Sequence, residues 1–268
     1  MRHKTGIPLL DNILGGGIPV GLCEIYGPDG SGKTCLALSI MRESTTPVGF
    51  INMEHRADPI FINKICGSSV LYSSPKNGEA AIEACFSMLN NGVKVVCIDT
   101  TDALVPMAEQ NMLIGHRVPL AQKRLVFHGG SKLCEIAKKK KGLVILTSQI
   151  RVNPSERSPK ERSSFHKITG KVATSIIRLE KMSSVSEYGT KKYTKIKATV
   201  EKLRGYPPSG SEDVYLWAGK GFDKFFELFR GLERSVFTRY GNYWRFKNDL
   251  FDVNIGPGYD NAVSAIRD

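Results

Sequence analysis

The sequence predicts an α/β domain with a mostly parallel central sheet flanked by helices, and three observations predict it. Residues 93–98 and 143–147 are continuous apolar runs of strand length, the pattern of strands covered on both faces. Segments with apolar residues at helical spacing separate such runs, so the chain alternates strand and helix. A glycine-rich turn at 27–34 joins a strand-like stretch to a helical one.

Taken in order, residues 22–26 are strand-like, 33–42 have helical composition and 48–52 form a second strand. In 77–90, Ala81, Ala84, Cys85, Met88 and Leu89 recur at helical spacing. Between the two long apolar runs, 119–138 read as a helix compromised by Gly129-Gly130. Segment 153–170 is polar, contains Pro154 and Pro159 and shows no period, so it reads as an unusually long loop, functional or disordered. Beyond it, 174–181, 193–203 and 214–217 alternate or run apolar, an antiparallel extension of the sheet. Residues 222–229 read as a short amphipathic helix, and 235–238 with 243–246, joined around Gly241-Asn242, as a hairpin. The expected division is a core over 1–231 and a short α+β C-terminal appendage over 232–268.

Composition narrows the function classes. With 41% hydrophobic and 24% charged residues the 268-residue chain has enough apolar side chains for a core, which excludes the disordered and low-complexity classes. No apolar run approaches the ~20 residues of a membrane helix, and the chain opens on Met1-Arg2-His3-Lys4-Thr5, so the expected location is the cytoplasm. Six scattered cysteines with no C-x-x-C pair read as small core hydrophobes in a reducing compartment. The formal net charge is +12, and residues 151–204 hold fourteen Lys or Arg against five Glu. Such a concentration points to a polyanionic partner, with nucleic acid favoured over a basic face kept for solubility.

The strongest local signal is Gly27-Pro28-Asp29-Gly30-Ser31-Gly32-Lys33-Thr34, a complete G-x-x-x-x-G-K-[ST] between a strand and a helix, with Cys35 following in the first helical turn. Glycines let consecutive N–H groups turn inward around a phosphate chain, and the helix N-terminus adds partial positive charge. Lys33 is the expected bridge to the β- and γ-phosphates of ATP, and the Thr34 hydroxyl a ligand of Mg2+. Val95-Val96-Cys97-Ile98-Asp99 is an apolar strand ending in an acid, and Asp99 is the second expected metal-site residue, acting through a water. Phe50-Ile51-Asn52-Met53-Glu54 places a carboxylate just past another strand, which makes Glu54 the candidate general base for hydrolysis.

Several stretches together resemble a known family. Thr5-Gly6-Ile7-Pro8-Leu9-Leu10-Asp11, Leu14-Gly15-Gly16-Gly17-Ile18-Pro19-Val20-Gly21 and Glu24-Ile25-Tyr26-Gly27-Pro28 resemble the entry to the ATPase core of RecA-type recombinases. So do Glu54-His55-Arg56-Ala57-Asp58-Pro59, Ile98-Asp99-Thr100-Thr101-Asp102-Ala103-Leu104-Val105-Pro106 and Ser148-Gln149-Ile150-Arg151. Order and spacing hold from about residue 5 to about residue 231, with a fainter likeness through Gly241-Asn242-Tyr243-Trp244 to the end. The resemblance implies a RecA-like P-loop fold and assigns Glu54 as the water-activating glutamate. It also implies that Asp58 and Phe61 flank the adenine, and that Gln149 senses the γ-phosphate. Two loops at 109–119 and 151–169 are implied to line a DNA channel. The first contributes His116 and Arg117; the second contributes Arg151, Arg157, Lys160, Arg162, Phe165 and Lys167, with Phe165 as an aromatic for base stacking.

The resemblance further implies two cations that reach a neighbouring subunit's γ-phosphate. One register gives Val200 and Lys202, and a one-residue gap gives Lys202 and Arg204. The resemblance also implies a helical arm ahead of the core, whereas this sequence begins barely before the first shared motif. The expected activity is an ATP-dependent recombinase that pairs single- and double-stranded DNA, with DNA-stimulated hydrolysis and self-association into a filament. A non-polymerising accessory ATPase that regulates a recombinase and a hexameric helicase-like motor are the alternatives.

Overall fold

The computed structural model describes residues 1–67, 70–110, 112, 118–152, 161–182, 186–188, 191–206, 210–217, 220–222, 237–240, 243–247 and 252–257. The N-terminal part runs β1 (Arg2–His3), α1 (Pro8–Ile13), β2 (Ile18–Pro19), β3 (Gly21–Tyr26), α2 (Lys33–Arg42), β4 (Val48–Asn52), α3 (Pro59–Cys66) and β5 (Val70–Ser73). The middle runs α4 (Gly78–Asn90), β6 (Val95–Asp99), a 3-10 turn (Thr101–Ala103), α5 (Met107–Gln110), α6 (Ala121–Lys139) and β7 (Leu143–Ser148). Then come β8 (Ile150–Val152), β9 (Glu161–Ser163), α7 (His166–Val172), β10 (Ser175–Lys181), β11 (Ser186–Tyr188), β12 (Lys191–Leu203), β13 (Gly210–Trp217) and β14 (Gly221–Phe222). Three further strands follow, β15 (Phe237–Tyr240), β16 (Tyr243–Lys247) and β17 (Asp252–Pro257).

Ten strands form the main sheet, in the order β14-β13-β12-β10-β3-β7-β6-β4-β5, with β11 paired to β12. From β10 to β5 every neighbouring pair is parallel, and from β10 through β12 and β13 to β14 the pairing is antiparallel. Both the parallel centre and the antiparallel extension are thus as expected. The continuous apolar runs have a direct cause in the two faces of this sheet. In β6, Val95 and Cys97 join the core on one face while Val96 and Ile98 join the core on the other. Leu143 and Ile145 in β7 alternate with Val144 and Leu146 in the same way. A strand buried on both sides needs apolar residues at every position.

Helix α6 runs unbroken through Gly129-Gly130, so the glycines do not weaken it into two pieces. A Cβ at Gly129 would stand 2.2 Å from Ile82 Cδ1 of α4, so the bare backbone is what lets these helices approach. That contact offsets the ~1 kcal/mol that a helical glycine costs relative to alanine. Lys138 and Lys139 fall in the last turn, where cations suit the helix dipole. Asn77 caps α4, its side chain accepting the Ala80 amide at 2.9 Å.

Three expectations require correction. The segment expected to be a loop through residue 170 is ordered over much of its second half: β9 pairs antiparallel with β8, and α7 follows. Its polar composition hid this because one side of a short hairpin needs no apolar alternation. Phe222, expected to open a helix, lies instead in β14 against β13 and is buried, while 223–229 fall outside the described residues. The expected hairpin is present as β15–β16 but gains a third strand, β17, which irregular composition concealed. Its turn at 241–242 and the expected boundary after residue 231 fall outside the described residues. All six cysteines are unpaired, five of them buried. No helix among the described residues is long and apolar enough to cross a membrane.

Candidate functional site

The parallel strands point their C-terminal ends at one edge, where ligands of open α/β sheets bind. Loops leaving β3, β4, β6 and β7 there surround a cleft of about 480 Å³ lined by Lys33, Thr34, Glu54, Asp58, Phe61, Asp99 and Gln149, among others. Asp29, Gly30, Gly32 and Cys35 from the same glycine-rich turn also line it. One tertiary feature thus brings together most of the residues expected from sequence to meet a nucleotide; Gly27, Pro28 and Ser31 of the turn are not among its lining.

The loop between β3 and α2 is shaped for close backbone approach. Gly32 adopts φ +86 and caps α2 without a side chain, so the first-turn amides, which have no intrahelical acceptor in any α-helix, receive no side-chain cap either. At Gly27 a Cβ would stand 2.3 Å from the Leu179 carbonyl oxygen and 2.6 Å from Ser31 Oγ. Ser31 Oγ is buried and accepts or donates no hydrogen bond among the described residues. Lys33 Nζ donates to the Gly27 and Pro28 carbonyls at 2.9 and 3.0 Å, curling the side chain over the loop. Burial pushes its ammonium pKa down, against the raising influence of Asp29, Asp99 and Glu54. Free amides, a lysine and a helix N-terminus fit a polyphosphate chain.

Thr34 Oγ1 donates to Asp99 Oδ2 at 2.8 Å, and the Thr147 hydroxyl donates to Asp99 Oδ1. Asp99 is therefore held at the end of β6, with its carboxylate against the threonine. A hydroxyl and one carboxylate suit Mg2+, which takes its remaining positions from phosphate and water. No cluster of three or more His, Cys, Asp or Glu able to hold a metal exists among the described residues. Glu54 follows β4 and lies 3.6 Å from Arg56 Nη1. Burial and then the Asp99 carboxylate push its pKa up, while Arg56 and Lys33 oppose the shift.

Asp58 has a structural task as well: it caps α3, accepting the Ile60 amide at 2.9 Å. Phe61, one turn into that helix, is partly buried against the core and presents its remainder to the cleft. Gln149, directly after β7, is among the cleft residues, and its amide donates to Asp102 Oδ2 at 2.8 Å. The cleft also includes Asn52, Arg56, Thr100 and Leu216, none of which local sequence reasoning singled out. Arg56 was legible as the basic residue two places after Glu54. Leu216 was not, because it arrives from β13 on the antiparallel side.

The residues expected to meet DNA separate into three groups. Arg151 and Lys167 are exposed and Arg162 is half-buried, all on the β8–β9–α7 stretch that starts directly after Gln149. His116, Arg117, Arg157 and Lys160 fall outside the described residues. Phe165 is a correction: it is 5% exposed and packs in the core on the α4–α6 face, so its ring is not presented for stacking on bases. Its Cα sits where β9 turns into α7, and the apolar ring fills the space below. Spacing could not distinguish an aromatic that plugs a loop base from one that faces the channel.

Glu24 belongs to one of the shared motifs without a role that its spacing reveals, and no acid among the described residues is more buried. It accepts hydrogen bonds from Ser148 Oγ at 2.8 Å and from the Ser163 hydroxyl, joining β3, β7 and β9 beneath the cationic stretch. Burial pushes its pKa up despite hydrogen bonds from Ser163, Thr169 and Ser148 that pull it down. Lys202 does not line the cleft. Its Nζ donates to the Gly170 carbonyl at 2.7 Å, and burial and then Arg204 push its pKa down. A register shift in the β10–β12 pairing between Ile176 and Ile177 leaves Val200 in the core, while Lys202 and exposed Arg204 flank buried Leu203.

Comparison with known proteins agrees with this geometry. The family model of the RecA N-terminal domain matches residues 2–223. Protein RecA of Thermotoga neapolitana is 30% identical over 98% of this chain and 78% of its own length. Protein RecA of Xanthomonas axonopodis pv. citri is 32% identical over 98% of this chain and 79% of its own. The crystal structure of the RadB recombinase superposes with a TM-score of 0.61 at 20% identity, covering 82% of this chain and 97% of that one. At that identity the last likeness is one of fold.

Proposed function

The chain belongs to the RecA family, and from that premise we propose that it is an ATP-dependent recombinase acting on DNA in the cytoplasm. One observation carries the reading: Lys33, Thr34–Asp99, Glu54 and Gln149 converge on a single cleft, and the cationic stretch begins two residues after Gln149. Nucleotide chemistry and polyanion binding therefore share a strand end.

In this proposal the turn at 27–34 cradles the triphosphate, with Phe61 and Asp58 beside the base. Thr34 and Asp99 hold Mg2+, which supplies positive charge to the phosphate oxygens when bound. Glu54 orients the attacking water and takes its proton, a role that typically contributes ~10²–10⁴-fold. Gln149 hydrogen-bonds the γ-phosphate and lets go after hydrolysis, so the order of the following stretch tracks the nucleotide. Arg151, Arg162 and Lys167 contact strand phosphates, joined by Arg157, Lys160, His116 and Arg117. Each contact on single-stranded DNA adds roughly −0.7 to the slope of log affinity against log salt. Lys202 and Arg204 serve the γ-phosphate of a neighbouring copy; burial of Val200 supports this register over the other. Single-stranded DNA is bound first, paired with a homologous duplex, and released after hydrolysis.

Electron microscopy with single-stranded DNA and a non-hydrolysable ATP analogue, beside ATPase assays with and without DNA, tests the proposal. Continuous helical filaments and DNA-stimulated turnover are expected. Turnover indifferent to DNA at low salt refutes the recombinase; isolated particles indicate an accessory ATPase, and closed rings a motor.

A further inference from the structure

Asp102 lies outside the glycine-rich turn and outside the lining of the cleft, yet it contacts both groups that the proposed function must connect. Its turn is anchored to the end of β7, because Thr101 Oγ1 donates to the Thr147 carbonyl at 3.0 Å and shares a hydrogen bond of 2.8 Å with Ser148 Oγ. From α6, Gln122 Nε2 donates to the Asp102 carbonyl at 3.0 Å. Held this way, the Asp102 side chain is only 9% exposed and its two oxygens have different partners. Oδ2 accepts the Gln149 amide at 2.8 Å. Oδ1 lies 3.6 Å from Arg151 Nη2, and this buried oxygen accepts no hydrogen bond among the described residues.

Gln149 completes the joint. It lines the cleft, and its carbonyl accepts both the amide and the hydroxyl of Ser164 at 3.0 Å, where the β8–β9 hairpin returns. One residue thus lines the cleft, with its amide on Asp102 and its carbonyl on the far end of the cationic hairpin.

We propose that Asp102 is a positioning residue that couples nucleotide to nucleic acid: one carboxylate oxygen holds the Gln149 main chain while the other restrains the Arg151 guanidinium. The inference rests on the ATP- and DNA-binding reading above and names its regulation. At 3.6 Å, with the arginine side chain 70% exposed, the Asp102–Arg151 pair is an attraction without a hydrogen bond. A strand phosphate, able to accept two guanidinium hydrogen bonds, competes with it for the same cation. Losing Arg151 leaves a buried carboxylate oxygen without a counter-charge, which holds the arginine back. A shift of Gln149 toward a γ-phosphate turns the Asp102 carboxylate through the amide held on Oδ2, carries Oδ1 away from the guanidinium and releases Arg151 two residues along the chain.

Binding of a labelled single-stranded oligonucleotide, measured by anisotropy over a salt series with ATP analogue, with ADP and without nucleotide, tests the coupling. Asp102→Asn keeps an acceptor for the Gln149 amide and removes the charge; Asp102→Ala removes both. With ADP or no nucleotide, Asp102→Asn is expected to bind several-fold tighter than the unsubstituted protein, with a salt slope steeper by roughly 0.7, one extra phosphate contact. With the analogue the two are expected to coincide. In Asp102→Ala the ratio of analogue to ADP affinity falls toward one. Adding Arg151→Gln to Asp102→Asn is expected to cancel the extra slope, a change that a merely structural aspartate would not produce. If Asp102→Ala fails to fold, the Asp102→Asn slope decides alone. An unchanged ratio and slope in Asp102→Asn overturns the role of Asp102 while leaving the recombinase reading standing. Affinity of the unsubstituted protein that ignores nucleotide overturns both.

Discussion

Two glycines, one in the turn at 27–34 and one in α7, are expected to respond oppositely to the same substitution. In Gly27→Ala the new methyl would stand 2.3 Å from the Leu179 carbonyl oxygen, whereas real Cβ atoms essentially never come within 3.0 Å of a non-bonded heavy atom. Backbone must therefore move by about 0.7 Å, and β10 has little room because it is hydrogen-bonded to β3 on one side and β12 on the other. Overpacking of this kind costs ~1–3 kcal/mol, and reduced freedom of the unfolded chain returns ~0.4–1 kcal/mol. The net expectation is a loss of about 1–2 kcal/mol. Because the Gly27 carbonyl accepts a hydrogen bond from Lys33, nucleotide affinity falls as well. Gly170 lies in α7, where an added methyl would meet nothing within 4 Å and the backbone has no left-handed φ. Gly170→Ala should therefore stabilise by ~0.5–1 kcal/mol. Urea denaturation reads the stabilities, and titration with a fluorescent ATP analogue reads the site. A Gly27→Ala protein as stable as its parent, or a Gly170→Ala protein less stable, refutes the packing argument.

Glu54→Gln should leave ATP affinity intact and slow hydrolysis ~10²–10⁴-fold, measured by phosphate release; normal turnover would move the base elsewhere. Burial raises the Glu24 pKa, so the folded protein binds a proton more readily there than the unfolded chain. Stability from this group is therefore full below the ordinary glutamate pKa and declines as pH rises toward the raised value. Denaturation midpoints across that range should flatten in Glu24→Gln, and an unaltered slope would exclude Glu24 as its source. Phe165→Ala should cost ~3–5 kcal/mol as a core truncation. At temperatures where it remains folded, its salt slope for DNA binding should match the unsubstituted protein; a clear drop in stacking-dependent affinity without destabilisation would return the ring to the channel.

Much of the fold was legible because burial on both faces of a parallel sheet writes itself into the chain. Residues 48–52 match β4, and 33–42 match α2, since a glycine-rich turn and an uninterrupted apolar strand are local signals. Elements α1, α3 and β5 were not legible. The first two are short helices opened by proline, and β5 is an edge strand with Leu71 and Tyr72 exposed, so no periodicity marks them. The ordered return through β9 and α7 was missed for a related reason: Ser163, Ser164 and Thr169 are polar residues satisfied internally, by Glu24, Gln149 and the Phe165 carbonyl. Polar composition reads as solvent exposure until the partners are known.

Sequence alone marked out the glycine-rich turn at 27–34 as the candidate phosphate site, because a turn suited to baring its amides to an anion tolerates few residues, and those residues are neighbours in the chain. It also determined the excess of positive charge beyond residue 150. Tertiary structure alone decided which side chains answer that site from a distance. The bulged pairing of β10 with β12 buries Val200 and leaves Lys202 and Arg204 outside the core. Packing beneath α7 takes Phe165 inward. The meeting of Asp102, Gln149 and Arg151 follows from β6 and β7 lying side by side, which brings residues 47 positions apart within one hydrogen bond. Contacts across strands depend on register and sheet order, and neither is written in any local run of residues.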